Sequence, residues 1–219
     1  MTGAHAPAPD DAELHETQPE AVWALIEADP WLQEARTIWE PSCGPGRLVD
    51  ALQRAGHAVV ASDLYDYEGR WRADSCTLRV WDSDFLDPVH NGNVWRRILQ
   101  GRVDAIIMNP PFSKADAFVT TALTRAPRVY ALLPLGWQQG GEGSIGRDAL
   151  LDGGDWIRYH PFRERLTDMH RDGWEGRRTR TSHKHAWFVF GGPASRDERF
   201  CRRVGIPFTK RISLKQQGA

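Results

Sequence analysis

Apolar residues recur along the chain with two alternating periods. Val22, Trp23, Leu25 and Ile26 repeat at helical spacing behind Pro19, which predicts a helix from Pro19 to about Ala28 with that stripe packed into the core. Leu48, Val49, Leu52 and Ala55 predict a second amphipathic helix starting at Arg47, and residues 115–123 a third. Between them lie short, continuous apolar runs at residues 37–39, 58–61, 103–108, 129–133, 156–159 and 186–190. Runs of this kind, bounded by turn residues, read as strands buried on both faces. Strands alternating with helices predict an α/β sheet. Pro134 ends the run at 129–133. Residues 65–81 show no clean period and hold two tryptophans, so they read as a loop. Gln138 to Gly146 is glycine-rich and reads as a mobile connection, a candidate lid. Residues 1–14, with Pro7, Pro9 and Asp10-Asp11, read as a flexible leader. No internal repeat is evident.

Candidate chemistry concentrates where the apolar runs stop. The run ending at Met108 is followed by Asn109-Pro110-Pro111-Phe112. The two prolines fix a turn that aims two acceptors, the Asn109 side-chain oxygen and the Pro110 carbonyl. Two fixed acceptors suit a planar amino group, as on adenine, cytosine or an amide. The lone pair of such a nitrogen is delocalised, and holding both N–H groups turns it toward an electrophile. Phe112 offers an aromatic face, and stacking of a base on such a face is worth about 1–3 kcal/mol. The plainer alternative is a turn that merely ends a strand. Upstream, residues 37–39 run into Glu40-Pro41-Ser42-Cys43-Gly44-Pro45-Gly46 and then into a helix, an order that places backbone N–H groups beside a ligand. Gly44 and Gly46 lack a Cβ, so an adenosine-bearing cofactor has close access to the main chain. Asp63 ends the next run, where a carboxylate is placed to accept both ribose hydroxyls at the carboxyl edge of a parallel sheet.

With these pieces in this order, the chain resembles the class I S-adenosylmethionine-dependent methyltransferases, specifically the amino-methyltransferases that modify adenine N6 in DNA. The resemblance covers roughly residues 15–190. It implies a Rossmann-like fold, a mixed seven-stranded sheet with helices on both faces, and S-adenosylmethionine as cofactor. Thr17, Gln18 and Pro19 are similar to the segment that holds the cofactor's methionine end. Glu40, Pro41, Cys43, Gly44 and Gly46 are similar to the cofactor loop, and Asp63 with Leu64 to the ribose site. Asp84-Phe85-Leu86 is similar to the adenine site, the acid taking the exocyclic amine and the ring packing on the base. Asn109, Pro110, Pro111 and Phe112 match the catalytic tetrapeptide, Asn109 lying beside the cofactor as well. The roughly sixty residues between Gly46 and Asn109 leave no room for a recognition domain there. Pro45 departs from the small residues usual in the middle of the loop, and the chain has no room for a large recognition domain after residue 135. The same tetrapeptide serves methylation of RNA bases, cytosine N4 and a protein glutamine amide. A nucleic-acid-binding protein of this fold without turnover is the alternative from another class.

Charge bears on the substrate. The net value of −1 hides an asymmetry: residues 1–155 carry 13 Lys and Arg against 23 Asp and Glu, whereas residues 156–219 carry 15 against 6. A polyanion would meet the second segment. Its densest stretch holds Arg163, Arg165, Arg171, Arg177, Arg178, Arg180, His183 and Lys184, interleaved with Gly173, Trp174 and Gly176. That mixture suits a loop that grips phosphates and stacks on bases, and it equally describes a solvated charged loop. The expected organisation is a leader at 1–14, a catalytic domain at 15–192 with a basic loop at 160–185, and a basic tail at 193–219. The 219 residues suffice for one sizeable core. Ten tryptophans are many, and several must lie at surfaces or in grooves. No run approaches the roughly 18 apolar residues of a membrane span, and no signal-peptide core is visible, so a cytoplasmic protein is expected. Cys43, Cys76 and Cys201 have no metal-ligand spacing, and the His183-Lys184-His185 cluster lacks a fourth ligand, so no metal is expected.

Overall fold

The computed structural model describes residues 13–75, 77–139, 145–163, 166 and 184–191, and the backbone of two short strands at 203–204 and 210–211. Seven strands form one sheet: β1 Thr37–Glu40, β2 Ala58–Ser62, β3 Leu78–Val80, β4 Ala105–Met108, β5 Arg128–Pro134, β6 Trp156–Pro161 and β7 His185–Gly191. Their spatial order is β3-β2-β1-β4-β5-β7-β6. The first five are parallel, and β7 runs antiparallel to both β5 and β6. The two remaining strands, β8 Arg203–Val204 and β9 Lys210–Arg211, form a separate antiparallel ribbon within the segment expected to be a tail.

Strand periodicity divides the core into two layers. Tyr130 and Leu132 of β5 face one cluster, while Val129, Ala131 and Leu133 face the other. Ile38 and Trp39 of β1 divide in the same way, as do Ile107 and Met108 of β4. The first layer is covered by α1 Pro19–Ala28, α2 Pro30–Glu34 and α3 Arg47–Arg54. The second is covered by α4 Pro88–Asn93 with the turn Val94–Ile98 that continues it, α5 Ala115–Leu123 and α6 Ile145–Asp152. Helices therefore pack on both faces, as expected. Two of the buried tryptophans donate their N–H groups: Trp39 to Ser62 Oγ at 2.9 Å and Trp187 to the Ala21 carbonyl at 2.8 Å.

The three helices expected from the apolar spacing are present, and one of their details is corrected. In α1, Ala21, Val22 and Leu25 are buried but Trp23 is 46% exposed, because 100° per residue carries it off the buried face. The short elements α2, α4, β8 and β9 carried no periodic signal, and two more elements lay hidden in expected loops. β3 has only three residues, Leu78, Arg79 and Val80, too few to register a period, and it lies inside the expected loop. Helix α6 begins at Ile145, so Gly146 belongs to a helix and not to the lid; residues 140–144 lie outside the described residues. Among the described residues, no helix is long and apolar enough to cross a membrane.

Candidate active site

Strand order reverses between β1 and β4, which are adjacent in the sheet although β2 and β3 separate them in sequence. In an open parallel sheet, ligands bind in the crevice at the carboxyl ends of the strands at such a switch point. A cavity of about 360 Å³ lies there, walled by Glu40 and Ser42 after β1, Asp63 and Tyr67 after β2, Ser83 to Leu86 after β3, and Asn109 and Pro111 after β4. Its size falls within the range of small-molecule sites, about 300–1,000 Å³.

Two carboxyls define the cavity's electrostatics. Glu40 is 1% exposed; burial pushes it well above the usual carboxylate range, and the nearby Asp63 adds to the effect. Ser42 Oγ donates to Glu40 Oε1 at 3.3 Å, while Glu40 Oε2 has no hydrogen-bond partner. Burial raises Asp63 to about 6, opposed by backbone N–H groups, among them Gly44 to Oδ2 at 2.8 Å and Tyr65 to Oδ1 at 3.0 Å. With Leu64, three backbone N–H groups thus meet a carboxylate that has about four acceptor positions. Two buried acids held above their usual range favour a ligand that brings positive charge or hydroxyl donors.

Asn109 closes the cavity at the end of β4. Its Nδ2 donates to the His15 carbonyl at 2.7 Å, and its buried Oδ1 has no partner. Unsatisfied buried acceptors are rare, and each calls for an explanation. Phe112 touches two imidazoles, stacked on His15 at 5.5 Å and 13° and tilted against His185 at 5.7 Å.

The expected site residues are only partly brought together. Thr17, Glu40, Pro41, Cys43, Asp63, Leu64, Asp84, Phe85, Asn109 and Pro111 line the cavity. Gln18, Pro19, Gly44, Gly46, Pro110 and Phe112 do not. The glycines have a different immediate reason from the expected one. Gly44 and Gly46 have φ of +49° and +89°, and a Cβ would come within 2.8 Å of the Leu14 side chain or 2.7 Å of the Trp71 ring. Phe85 is 2% exposed, edge-on to Trp39 and tilted against Phe118. Asp84 Oδ1 accepts the Leu86 N–H at 2.8 Å, which shapes the turn after β3. Segment 65–81 contributes Tyr65 and Tyr67 to the cavity wall.

Other expectations need amendment. The leader does not extend to 14: Glu13 and Leu14 are cavity residues, and Glu13 binds the Phe112 N–H at 2.7 Å. An acidic residue close to two prolines and an Asp pair carried no sequence signal for that contact. His185, grouped with the phosphate-binding candidates His183 and Lys184, is the buried first residue of β7 and faces Phe112. Of the basic loop, Arg163 and Lys184 are exposed; Arg165, Arg171, Arg177, Arg178, Arg180 and His183 lie outside the described residues.

No protein-family model matches the sequence, and no curated protein matches it significantly. Solved structures do resemble it. A methyltransferase subunit of a type I restriction-modification system from Streptococcus thermophilus superposes with a TM-score of 0.58 at 15% identity, over 83% of this chain and 45% of that one. The chain thus spans less than half the length of that subunit. A protein from Pyrococcus horikoshii, described as a proposed RNA methyltransferase, gives 0.54 at 14% identity over 87% and 94% of the two chains. A protein from Thermoplasma acidophilum gives 0.52 at 17% identity over 80% and 85%. The seven-stranded sheet with β7 reversed, its switch-point cavity and these likenesses agree: the chain has the Rossmann-like fold of the class I methyltransferases.

Proposed function

We propose that the protein is an S-adenosylmethionine-dependent methyltransferase acting on an exocyclic amine, with adenine N6 in DNA as the favoured substrate. The observation that carries this reading is Asn109 Oδ1, a buried acceptor without a partner at the mouth of a cavity lined by two buried acids. Glu40 and Asp63 fit a cofactor that carries an ammonium group and ribose hydroxyls. Cationic and hydroxyl donors would restore their ionised forms and supply a partner for Glu40 Oε2. Thr17, Cys43, Asp84 and Phe85 would complete that side of the site. When bound, S-adenosylmethionine supplies a methyl group on a sulfonium that leaves readily, so no strong general base is required.

The chain's own residues place the amine. Asn109 Oδ1 and the Pro110 carbonyl accept its two N–H groups, which turns the nitrogen lone pair toward the cofactor side of the cavity. Phe112 provides the face on which the base stacks. In a duplex the base must first leave the helix. The proton passes to solvent after transfer.

Topology favours nucleic acid over a protein amide. β6 ends and β7 begins at the sheet edge that carries Asn109, since Pro161 pairs with Ala186 and His185 with Pro134, at the carboxyl end of β5. The basic stretch therefore leaves the sheet at Arg163 and returns at Lys184 on the active-site edge. The test is methyl transfer from labelled S-adenosylmethionine to unmethylated DNA, with total RNA in parallel, followed by nucleoside mass spectrometry. N6-methyldeoxyadenosine is the expected product. Label in RNA alone would transfer the reading to RNA bases, and label in neither would remove it.

A further inference from the structure

Residues 13–16 cross the mouth of the site, and each is fastened to a different part of it. Glu13 grips the catalytic turn: its Oε1 accepts the Phe112 N–H at 2.7 Å, and its Oε2 accepts the Ser113 hydroxyl at 2.7 Å and the Ser113 N–H at 3.3 Å. Leu14 packs over Gly44 of the glycine loop. The His15 carbonyl accepts from Asn109 Nδ2, and Glu16 pairs with Arg47 at 3.4 Å and Arg72 at 2.9 Å.

We propose that this strap is a positioning device, in which the Glu13 carboxylate and the His15 carbonyl fix the Asn109 amide so that its oxygen is held for the substrate amine. The inference rests on the function proposed above. A primary amide at the end of a strand has two orientations, related by a flip that exchanges oxygen and nitrogen. Only one presents an acceptor to an amine. A main-chain carbonyl accepts and never donates, so the His15 carbonyl selects the orientation with Nδ2 toward the strap. Oδ1 is then turned to the other side, where no protein donor meets it. In the absence of the strap both orientations are open, and half of the encounters would present N–H to N–H. Glu13 makes the selection rigid by tying the strap to the two backbone N–H groups that follow the prolines, so that strap and turn move as one unit. Its acceptor-only carboxylate suits three donors, and charge-assisted bonds of this kind are roughly twice as strong as neutral ones.

The His15 ring covers the face of Phe112 on which a base would stack. Orientation of Asn109 and access to Phe112 are thus governed by different parts of one residue.

The experiment uses the full chain with labelled S-adenosylmethionine and unmethylated DNA. Glu13 is exposed, so Glu13→Ala removes the grip without opening the core. The expected result is a fall in kcat on the order of tenfold to a hundredfold, with cofactor Kd changed by less than about threefold. Glu13→Gln keeps one acceptor for the Phe112 N–H and is expected to recover part of kcat. Before any ligand is added, the Asn109 side-chain NH₂, assigned in ¹⁵N-labelled protein by its loss in Asn109→Ser, is expected to be protected from exchange and to lose protection in Glu13→Ala. An unchanged kcat in Glu13→Ala overturns the proposal and leaves the methyltransferase reading intact. A raised cofactor Kd with unchanged kcat also overturns it, making the strap only a wall of the cavity. Wild-type protein that binds cofactor but methylates no nucleic acid defeats the functional reading itself, and the positioning role with it.

Discussion

At the residue scale, single atoms in the cavity carry the sharpest expectations. Asn109→Ala removes the unpartnered acceptor and is expected to abolish transfer while leaving cofactor affinity nearly intact, as isothermal titration calorimetry would show. A large parallel loss of affinity would make Asn109 structural instead. Asp63 sets a pH limit. Burial holds it at about 6; if its ionised form takes the cofactor's hydroxyl donors as proposed, binding lowers its pKa and releases protons near that pH. Affinity is therefore expected to fall as pH drops below about 6 and to be nearly flat above 7, and Asp63→Asn is expected to bind weakly at every pH. Calorimetry near pH 6 in buffers of different ionisation enthalpy would detect the released proton. His15→Ala uncovers Phe112 and keeps the carbonyl, so KM for DNA is expected to fall with kcat retained. Asn109, Pro110, Pro111 and Phe112 were legible as a reactive turn because two prolines permit little else. The amide's orientation was not, since it depends on a carbonyl 94 positions away.

At the scale of elements, the loop and helix that follow β1 form the most constrained piece. Gly46 caps α3 in the left-handed region, and the Trp71 ring lies where its Cβ would be. Gly46→Ala incurs the left-handed penalty of about 1–2 kcal/mol and must also displace a half-buried ring. Thermal unfolding is expected to show a loss of roughly 2–4 kcal/mol, against little change for Gly56→Asn, whose left-handed position is open space and whose replacement tolerates that region. Leu52 is fully buried under the first core layer, and Leu52→Ala is expected to destabilise by about 2–5 kcal/mol. Helices α1, α3 and α5 were readable because each presents a stripe over at least two turns. β3 and α6 escaped notice for opposite reasons. One is too short to have a period, and the other starts where glycines suggested a loop.

At the scale of the whole molecule, buried charge ties distant segments together. Asp29, between α1 and α2, is 1% exposed, meets Tyr130 Oη of β5 at 3.2 Å and lies 4.0 Å from His160 Nε2 of β6. Burial alone would raise its carboxyl. His160 and the charges of Arg158 and Arg128 outweigh that and hold it below its usual range. A depressed carboxylate contributes stability above its unfolded value near 4, and that contribution is lost as pH falls through the folded value. Denaturant unfolding at successive pH values is expected to show a steeper acid limb in the wild type than in Asp29→Asn. Charge acts outward as well. If the basic segment grips DNA, Arg177→Ala and Arg178→Ala are each expected to weaken binding across sequences and to reduce the salt slope by about 1. Unchanged slopes would remove that segment from the interface.

The sequence by itself determined the α/β class, three helices and six strands, with strand ends placed to within two residues, because period and turn chemistry are local and each apolar run needs only its own neighbours to be legible. It also marked Asn109, Asp63 and Glu40, which stand where strands stop, as candidates for chemistry. Tertiary structure decided which of them meet. The switch point between β1 and β4 brings Glu40 and Asn109 to one cavity, the reversal of β7 brings its first residue, His185, to the same edge, and residues 13–16 fold back across the turn at 109–112. Those contacts join segments tens of residues apart, and their free energy comes from burial and from pairing buried polar atoms. No local pattern encodes either.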